Sequence, residues 1–386
     1  MDSSNNNNFE TNFGLDIYTN LLSANDSACC EENFIISPFL IEALLSLMYL
    51  GSDGKTAEEL KTKLQLQRFP NNAKMASYFA GNLAAITQAS PDTQLEMCSR
   101  IFVNDTYELD SEFQKIAYKY FLTQVEKLSL ASKAKLEEYI KVAIQQTLKI
   151  NSSSSFQSLE DNSKALLLMA ANFKNKWFLP FSAYRSGLYE FHVSPDCVKP
   201  IPMMLDDEMF VKFVELKEMD ARAVELPYEH DDEISMLLIL PNRRDGLKDL
   251  EQKLRNVNLS SISEQMQMES VQLLLPKFKI DFECSLRQVL QKMDFSLLFS
   301  EESNMKNLLS SQTSTMSTLP IADILHKVSL EVNESGTESS NIEATKPIVI
   351  SNSIDTRQKF FRADHPFYFA IRNRDATYFM GHVVKF

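Results

Sequence analysis

The segment KALLLMAANFKNKW, from Lys164 to Trp177, limits the fold more than any other stretch of the chain. A strand with one wet face alternates apolar and polar residues. This one is continuously apolar from Ala165 to Ala171, the pattern of a strand covered on both faces in the middle of a sheet. What flanks it sets the fold class. Upstream, apolar residues recur at helical spacing from Phe13 to Leu22, and Phe34-Ile35-Ile36 reads as a short buried strand. Ser37-Pro38 then opens a helix, with Ser37 as N-cap and proline in the first turn, and Gly51 closes it. GKTAEELKTKLQ is a further helix, with Thr56 as its expected cap and Glu59 completing a capping box. The region 73–150 reads as mostly helical, interrupted by one strand at Leu95–Asp105, and Ser152–Ser155 is a loop.

Downstream, strands dominate: YEFHV, KPIPMML, ARAVELPY, ISMLLILP, VQLLLPKFKIDFEC and LHKVSLEVNE. Helical segments are expected at Leu247–Gln267 and SLRQVLQKM, and SEESNMKNLLSSQTSTMST reads as polar and poorly ordered. The C-terminal tail reads as a hairpin turning at Asn373–Ala376. Helices first and strands second make an α+β protein rather than alternating βαβ units.

The chain of 386 residues, 44% apolar, can bury a large core. No Pro- or Gly-rich linker divides it, so residues 1–386 are expected to form one domain with a flexible polar N-terminus over residues 1–9. The net charge of −13 and the lack of a dense basic run argue against nucleic acid or heparin as a partner. Cys29, Cys30, Cys98, Cys197 and Cys284 are odd in number, widely spaced and without a CxxC pair, which suits free thiols better than a zinc site or a disulfide framework. The first residues show no charged-then-apolar signal, and no apolar run reaches membrane-spanning length. The expected location is cytoplasmic, or extracellular or cell-surface by a non-classical route. The Asn-x-Ser/Thr sequons at Asn25, Asn104, Asn151, Asn258 and Asn333 are what chance gives in an Asn- and Ser-rich chain.

Catalytic chemistry has no foothold. GxSxG, P-loop, GxGxxG and HExxH motifs are missing, and His192, His230, His326, His365 and His382 lack ligand spacing. No enzyme activity, cofactor or metal is expected. One stretch remains unusual: EVNESGTESSNIEATKPIVI, Glu331 to Ile350, begins like a buried strand, turns at Gly336, becomes small and polar, and ends in a β-branched run.

Six blocks, in order, carry a family likeness: FIISPFLIEALLSLMYLGSDGKTAEEL, ANFKNKWFLPF, VELPYEHDDEISMLLILP, LLLPKFKI, LHKVSLEVNESGTE and ADHPFYFAIRN…YFMGHVV. Together they resemble the signature segments of the serpin superfamily, from about Asn12 to Phe386. The start, ETNFGLDIY, looks more like the ovalbumin-type branch, whose members often lack a cleaved signal. The resemblance implies three β-sheets, eight or nine helices and an exposed reactive loop at about residues 335–360. It implies a monomeric suicide-substrate inhibitor of a serine protease, whose cleaved loop inserts into the main sheet and traps the acyl-enzyme. A non-inhibitory carrier or chaperone-like protein, or an inhibitor of cysteine proteases, are the alternatives.

On this resemblance the hinge comprises Glu334, Gly336, Thr337, Ser339, Asn341 and Glu343. The odd-numbered residues from Thr337 onward would face inward on insertion, so Glu343 would bring a carboxylate into the sheet. Counting fourteen residues past Gly336 puts the scissile bond at Ile350-Ser351, while counting back from Phe361 puts it near Asn352-Ser353. Arg357, the only arginine in the loop, would attract trypsin-like enzymes, whereas cleavage near Ile350 suits elastase- or chymotrypsin-like ones. Ser37, Asn172 and His326 match a buried polar cluster beneath the line where the sheet opens, with a His326–Asn172 hydrogen bond expected. Leu40 replaces the second serine of that cluster. Trp177 should plug the top of the sheet, with Lys277 and Glu334 paired beside it. The family's Asn-x-Trp pattern is missing from Ala134–Leu148, so that helix is expected to pack differently.

Overall fold

The computed structural model describes residues 8–24, 32–88, 94–130, 132–148, 163–229, 231–310, 317–337 and 359–386. The expected flexible N-terminus lies almost wholly outside them, as do Cys29 and Cys30. The helices are α1 (Asn8–Ala24), α2 (Pro38–Gly51), α3 (Gly54–Lys63), α4 (Asn72–Gln88), α5 (Ser111–Phe121), α6 (Lys133–Leu148), α7 (Leu247–Leu254), α8 (Leu259–Gln265) and α9 (Arg287–Lys292). The strands are β1 (Phe34–Ile36), β2 (Gln94–Asn104), β3 (Thr123–Leu128), β4 (Ala165–Lys176), β5 (Gly187–Ser194), β6 (Cys197–Leu216), β7 (Ala221–Tyr228), β8 (Asp231–Pro241), β9 (Gln267–Pro276), β10 (Phe278–Ser285), β11 (Ile321–Val332), β12 (Gly336–Thr337), β13 (Lys359–Arg362), β14 (Phe367–Arg372) and β15 (Thr377–Val383).

The main sheet runs β10-β11-β12-β4-β2-β3, with β11 also pairing directly with β4. The second runs β1-β15-β14-β8-β7-β6-β9-β13, with β5 beside β6. The three sheets implied by the resemblance therefore form two continuous ladders. The reason is β6, which bends at an irregularity between Asp206 and Met209 and serves two groups of strands without a break.

The apolar run is explained by what covers it. Ala165, Leu167, Met169, Ala171 and Phe173 of β4 join the large core between the sheets. Leu166, Leu168 and Ala170 face the other way, into a separate cluster under α6. That helix contributes Leu136, Ile140, Ala143, Ile144 and Leu148, spacings that put one apolar stripe on the sheet. It covers the front of β2 and β4 without the Asn-x-Trp pattern.

Several local expectations need correction. The N-cap of α3 is Asp53, whose side chain accepts the Gly54 N–H. Thr56 and Glu59 instead reach across the chain, accepting the Asn304 and Leu297 N–H groups. The helical reading of 73–150 missed β3, which pairs in parallel with β2. The stretch 247–267 is two short helices, because Asn258 starts a new one by capping Ser260. Residues 303–310, read as poorly ordered, are packed: Ser303, Met305 and Leu308 are fully buried. The C-terminal hairpin turns at the expected place, with the Asn373 N–H donating to Ala376 O at 3.0 Å.

Candidate functional site

The site lies along the line between β4 and β11. These neighbours run parallel, from Ile321 opposite Ala165 to Leu330 opposite Phe173. At the upper end a third strand enters between them. The chain leaves β11 at Val332, turns through residues 333–335 and returns as β12. There Thr337 pairs antiparallel with Val332 on one side and with Asn175 on the other.

Local chemistry makes that turn. Asn333 Oδ1 accepts the Ser335 and Gly336 N–H groups, and the Asn333 N–H donates to Gly336 O at 2.7 Å. Gly336 has φ +150°, and a Cβ there would sit 2.1 Å from Asn175 O. Only glycine lets the backbone approach β4 this closely. Thr337 is fully buried, and its hydroxyl is 3.1 Å from the Tyr228 hydroxyl. Burial pushes the Tyr228 hydroxyl well above its usual pKa, so it stays protonated.

Trp177 holds the top of the gap. Its ring stacks on Tyr228 with centroids 4.8 Å apart, and its indole N–H donates to Asn333 O at 3.0 Å. The Trp177 backbone N–H donates to Ser335 O, and the Phe181 N–H to Glu334 O. Lys277 pairs with Glu334, and Ser186 donates to the same carboxylate oxygen at 2.5 Å. Burial alone would raise the Glu334 pKa, but Lys277 and Ser186 hold it below the usual carboxylate value. Lys277 is only 8% exposed, so this is not an ordinary surface pair. Trp177, Lys277, Glu334, Gly336 and Thr337 are thus brought together in one place.

Lower down the gap the arrangement differs from expectation. The Ser37 N–H donates to His326 Nε2 at 3.0 Å, and the Ser37 hydroxyl donates to Tyr378 O at 2.6 Å. Ser37 also caps α2 by accepting the Leu40 N–H. The expected His326–Asn172 hydrogen bond is not formed. Asn172 lies opposite Ser329, three residues along β11, and donates to Glu96 at 3.1 Å. The residue facing His326 is Met169. Strand parity is the reason: the odd residues of β4 face the core where Ser37 lies, and Asn172 belongs to the other set. The same alternation, visible in the sequence, is the signal that finds Met169. Burial pushes the His326 imidazole down to about 3, so it is neutral.

Ser339, Asn341, Glu343, Ile350, Ser351, Asn352, Ser353 and Arg357 lie outside the described residues. Among the described residues no group of His, Cys, Asp or Glu side chains could hold a metal ion. No described helix is long and apolar enough to cross a membrane.

Comparison with known proteins gives a consistent result. A family model described as serpin (serine protease inhibitor) matches residues 8–386. Serine protease inhibitor 42Dd of Drosophila melanogaster is 31% identical over 358 residues, covering 92% of each chain. Alaserpin of Manduca sexta is 29% identical over 377 residues, covering 97% of this chain and 92% of that one. The crystal structure of Serpin48, described as a highly specific serpin of the insect Tenebrio molitor, superposes with a TM-score of 0.85 at 26% identity. That match covers 100% of this chain and 99% of the other. The parallel β4–β11 pair, with the start of the loop between its strands, thus sits in a chain that belongs to the serpin family.

Proposed function

We propose that this serpin inhibits a serine protease by offering residues 338–358 as substrate and then inserting the cut loop between β4 and β11. One observation carries the reading: β12 already lies between these strands and pairs antiparallel with both. Extending it exchanges one parallel ladder for two antiparallel ones, which are slightly more stable per residue. Each added backbone hydrogen bond contributes a net ~0.5–1.5 kcal/mol. The uncut chain cannot reach that state, because its loop is tied at the far end to β13, which pairs with β9. Cleavage frees one end, and the released energy is then available to displace and distort the attached protease.

Register favours Ile350-Ser351 as the scissile bond, facing an elastase- or chymotrypsin-like protease. Asn352-Ser353 is the second position. Arg357 suits a trypsin-like enzyme but leaves about seven surplus residues, some 23 Å of slack at ~3.3 Å each. Glu343 gives the competing reading of a non-inhibitory serpin some weight, since an unpaired carboxylate resists burial.

The test is incubation of the intact protein with trypsin, chymotrypsin and elastase. An SDS-stable complex with one of them, a large rise in melting temperature after loop cleavage, and sequencing of the small C-terminal fragment would together establish target class and bond. Nicked protein with no complex and no thermal gain overturns the proposal in favour of the non-inhibitory reading.

A further inference from the structure

Two polar atoms on β11 lack partners although they are buried. Among the described residues, His326 Nδ1 and Asp323 Oδ2 have no hydrogen-bond partner, and both residues are 0% exposed. Leaving such groups unsatisfied is costly, so each calls for an explanation. Each is half-committed. His326 Nε2 accepts the Ser37 N–H, which puts the ring proton on Nδ1 as an unused donor. Asp323 Oδ1 accepts the Ser285 hydroxyl at 2.8 Å and the Ile324 N–H at 2.7 Å, which leaves Oδ2 as an unused acceptor.

The register of an inserted strand follows from the pairs already formed. In an antiparallel ladder each step down β11 matches one step forward along the incoming strand. Starting from Val332 opposite Thr337, six residues down β11 is His326, and six residues beyond Thr337 is Glu343. Nine residues down is Asp323, and nine beyond is Lys346. The other side agrees. Six and nine residues down β4 from Asn175 are Met169 and Leu166, which already face His326 and Asp323. Directly opposite residues of an antiparallel pair share a face. Glu343 therefore falls on the inward face with Thr337 and His326, and Lys346 on the other face with Asp323. Pro347 comes next, and with no N–H to donate it ends the ladder.

We propose that His326 and Asp323 are positioning residues that read the incoming strand at two points: the His326 Nδ1–H donates to the Glu343 carboxylate, and the Lys346 ammonium donates to Asp323 Oδ2. The inference rests on the insertion proposed above and deepens it. It supplies a donor for the one carboxylate that insertion would bury. The two contacts also fix register, because a shift of one residue flips both side chains to the wrong face.

Two measurements test it. The first uses the full chain, cleaved in the loop, with Glu343→Gln, Lys346→Met, Asp323→Asn and the double variant Lys346→Met/Asp323→Asn. Before cleavage the two loop variants should melt with wild type. After cleavage Lys346→Met should lower the melting temperature by several degrees. Adding Asp323→Asn to it should lower it little further. Additive losses at 323 and 346, or no loss from Lys346→Met, overturn the proposal. The second adds synthetic peptides of residues 337–347 to the uncut protein, which keeps the test valid if an Asp323 variant misfolds. The native peptide should anneal into the sheet, and a peptide with Glu343→Lys and Lys346→Glu should do so at least about tenfold more slowly. Equal rates overturn the two-point reading. If cleavage of wild type gives no thermal gain and no peptide anneals, insertion itself has failed.

Discussion

The two ends of the gap between β4 and β11 are built from the same pair of strands and solved differently. At the top, Trp177, Tyr228, Glu334, Lys277 and Thr337 are all partnered, and an antiparallel strand already separates β4 from β11. Six to nine residues below, the strands pair directly in parallel, and His326 and Asp323 each keep an unused polar atom. A finished sheet would be uniform along its length. This one is finished at one end only, so the position where a new strand starts is fixed while the path it will follow stays closed.

Substitutions at the two ends should therefore have different consequences, and the largest is expected at the turn. Gly336→Val places a side chain against Asn175 O and should expel β12 from the gap. Each ~1.4 kcal/mol of added barrier slows insertion tenfold, so the covalent complex should be lost on gels while the substrate is still cut. A complex of normal yield would show that the top is not the starting point. Trp177→Ala removes the stack on Tyr228 and a buried hydrogen bond. It should destabilise the uncut protein by about 3–5 kcal/mol, seen in the urea midpoint.

Lys277→Met leaves Glu334 without its cation and should cost about 1–3 kcal/mol near neutral pH. The folded pKa of Glu334 is depressed, so its stabilisation is present above the ordinary carboxylate range and is lost as pH falls through the lowered value. Wild type and Lys277→Met should therefore converge in acid, and a gap that persists there would mean that the pair does not act through charge. The smallest effect is expected lower down. His326 takes up a proton near 6.5 when unfolded but only at about 3 when folded. Between these values the unfolded chain binds more protons, so stability falls with pH by at most ~1.4 kcal/mol per unit. His326→Gln should remove that component, and an unchanged pH slope would remove His326 from the acid response.

Much of the fold was legible because the signals were local. Ser37-Pro38 and Gly51 mark the ends of α2, the unbroken apolar run of β4 announces cover on both faces, and the polar turn at Asn373–Ala376 makes the hairpin. Misreadings came where a side chain had a distant partner. Thr56 and Glu59 have the spacing of a capping box, yet Asn304 and Leu297 take them. Asn172 is a plausible partner for a buried histidine by composition, but one residue of strand parity assigns it to Glu96.

The sequence by itself determined the family, the hinge glycine and the charged residues Glu343 and Lys346 of the loop, since these are matters of residue identity and order. Only the tertiary structure decided what those charges are for. Their counterparts, His326 and Asp323, are set by a register between strands far apart in the chain. A polar atom without a partner becomes visible only once everything around it has been packed.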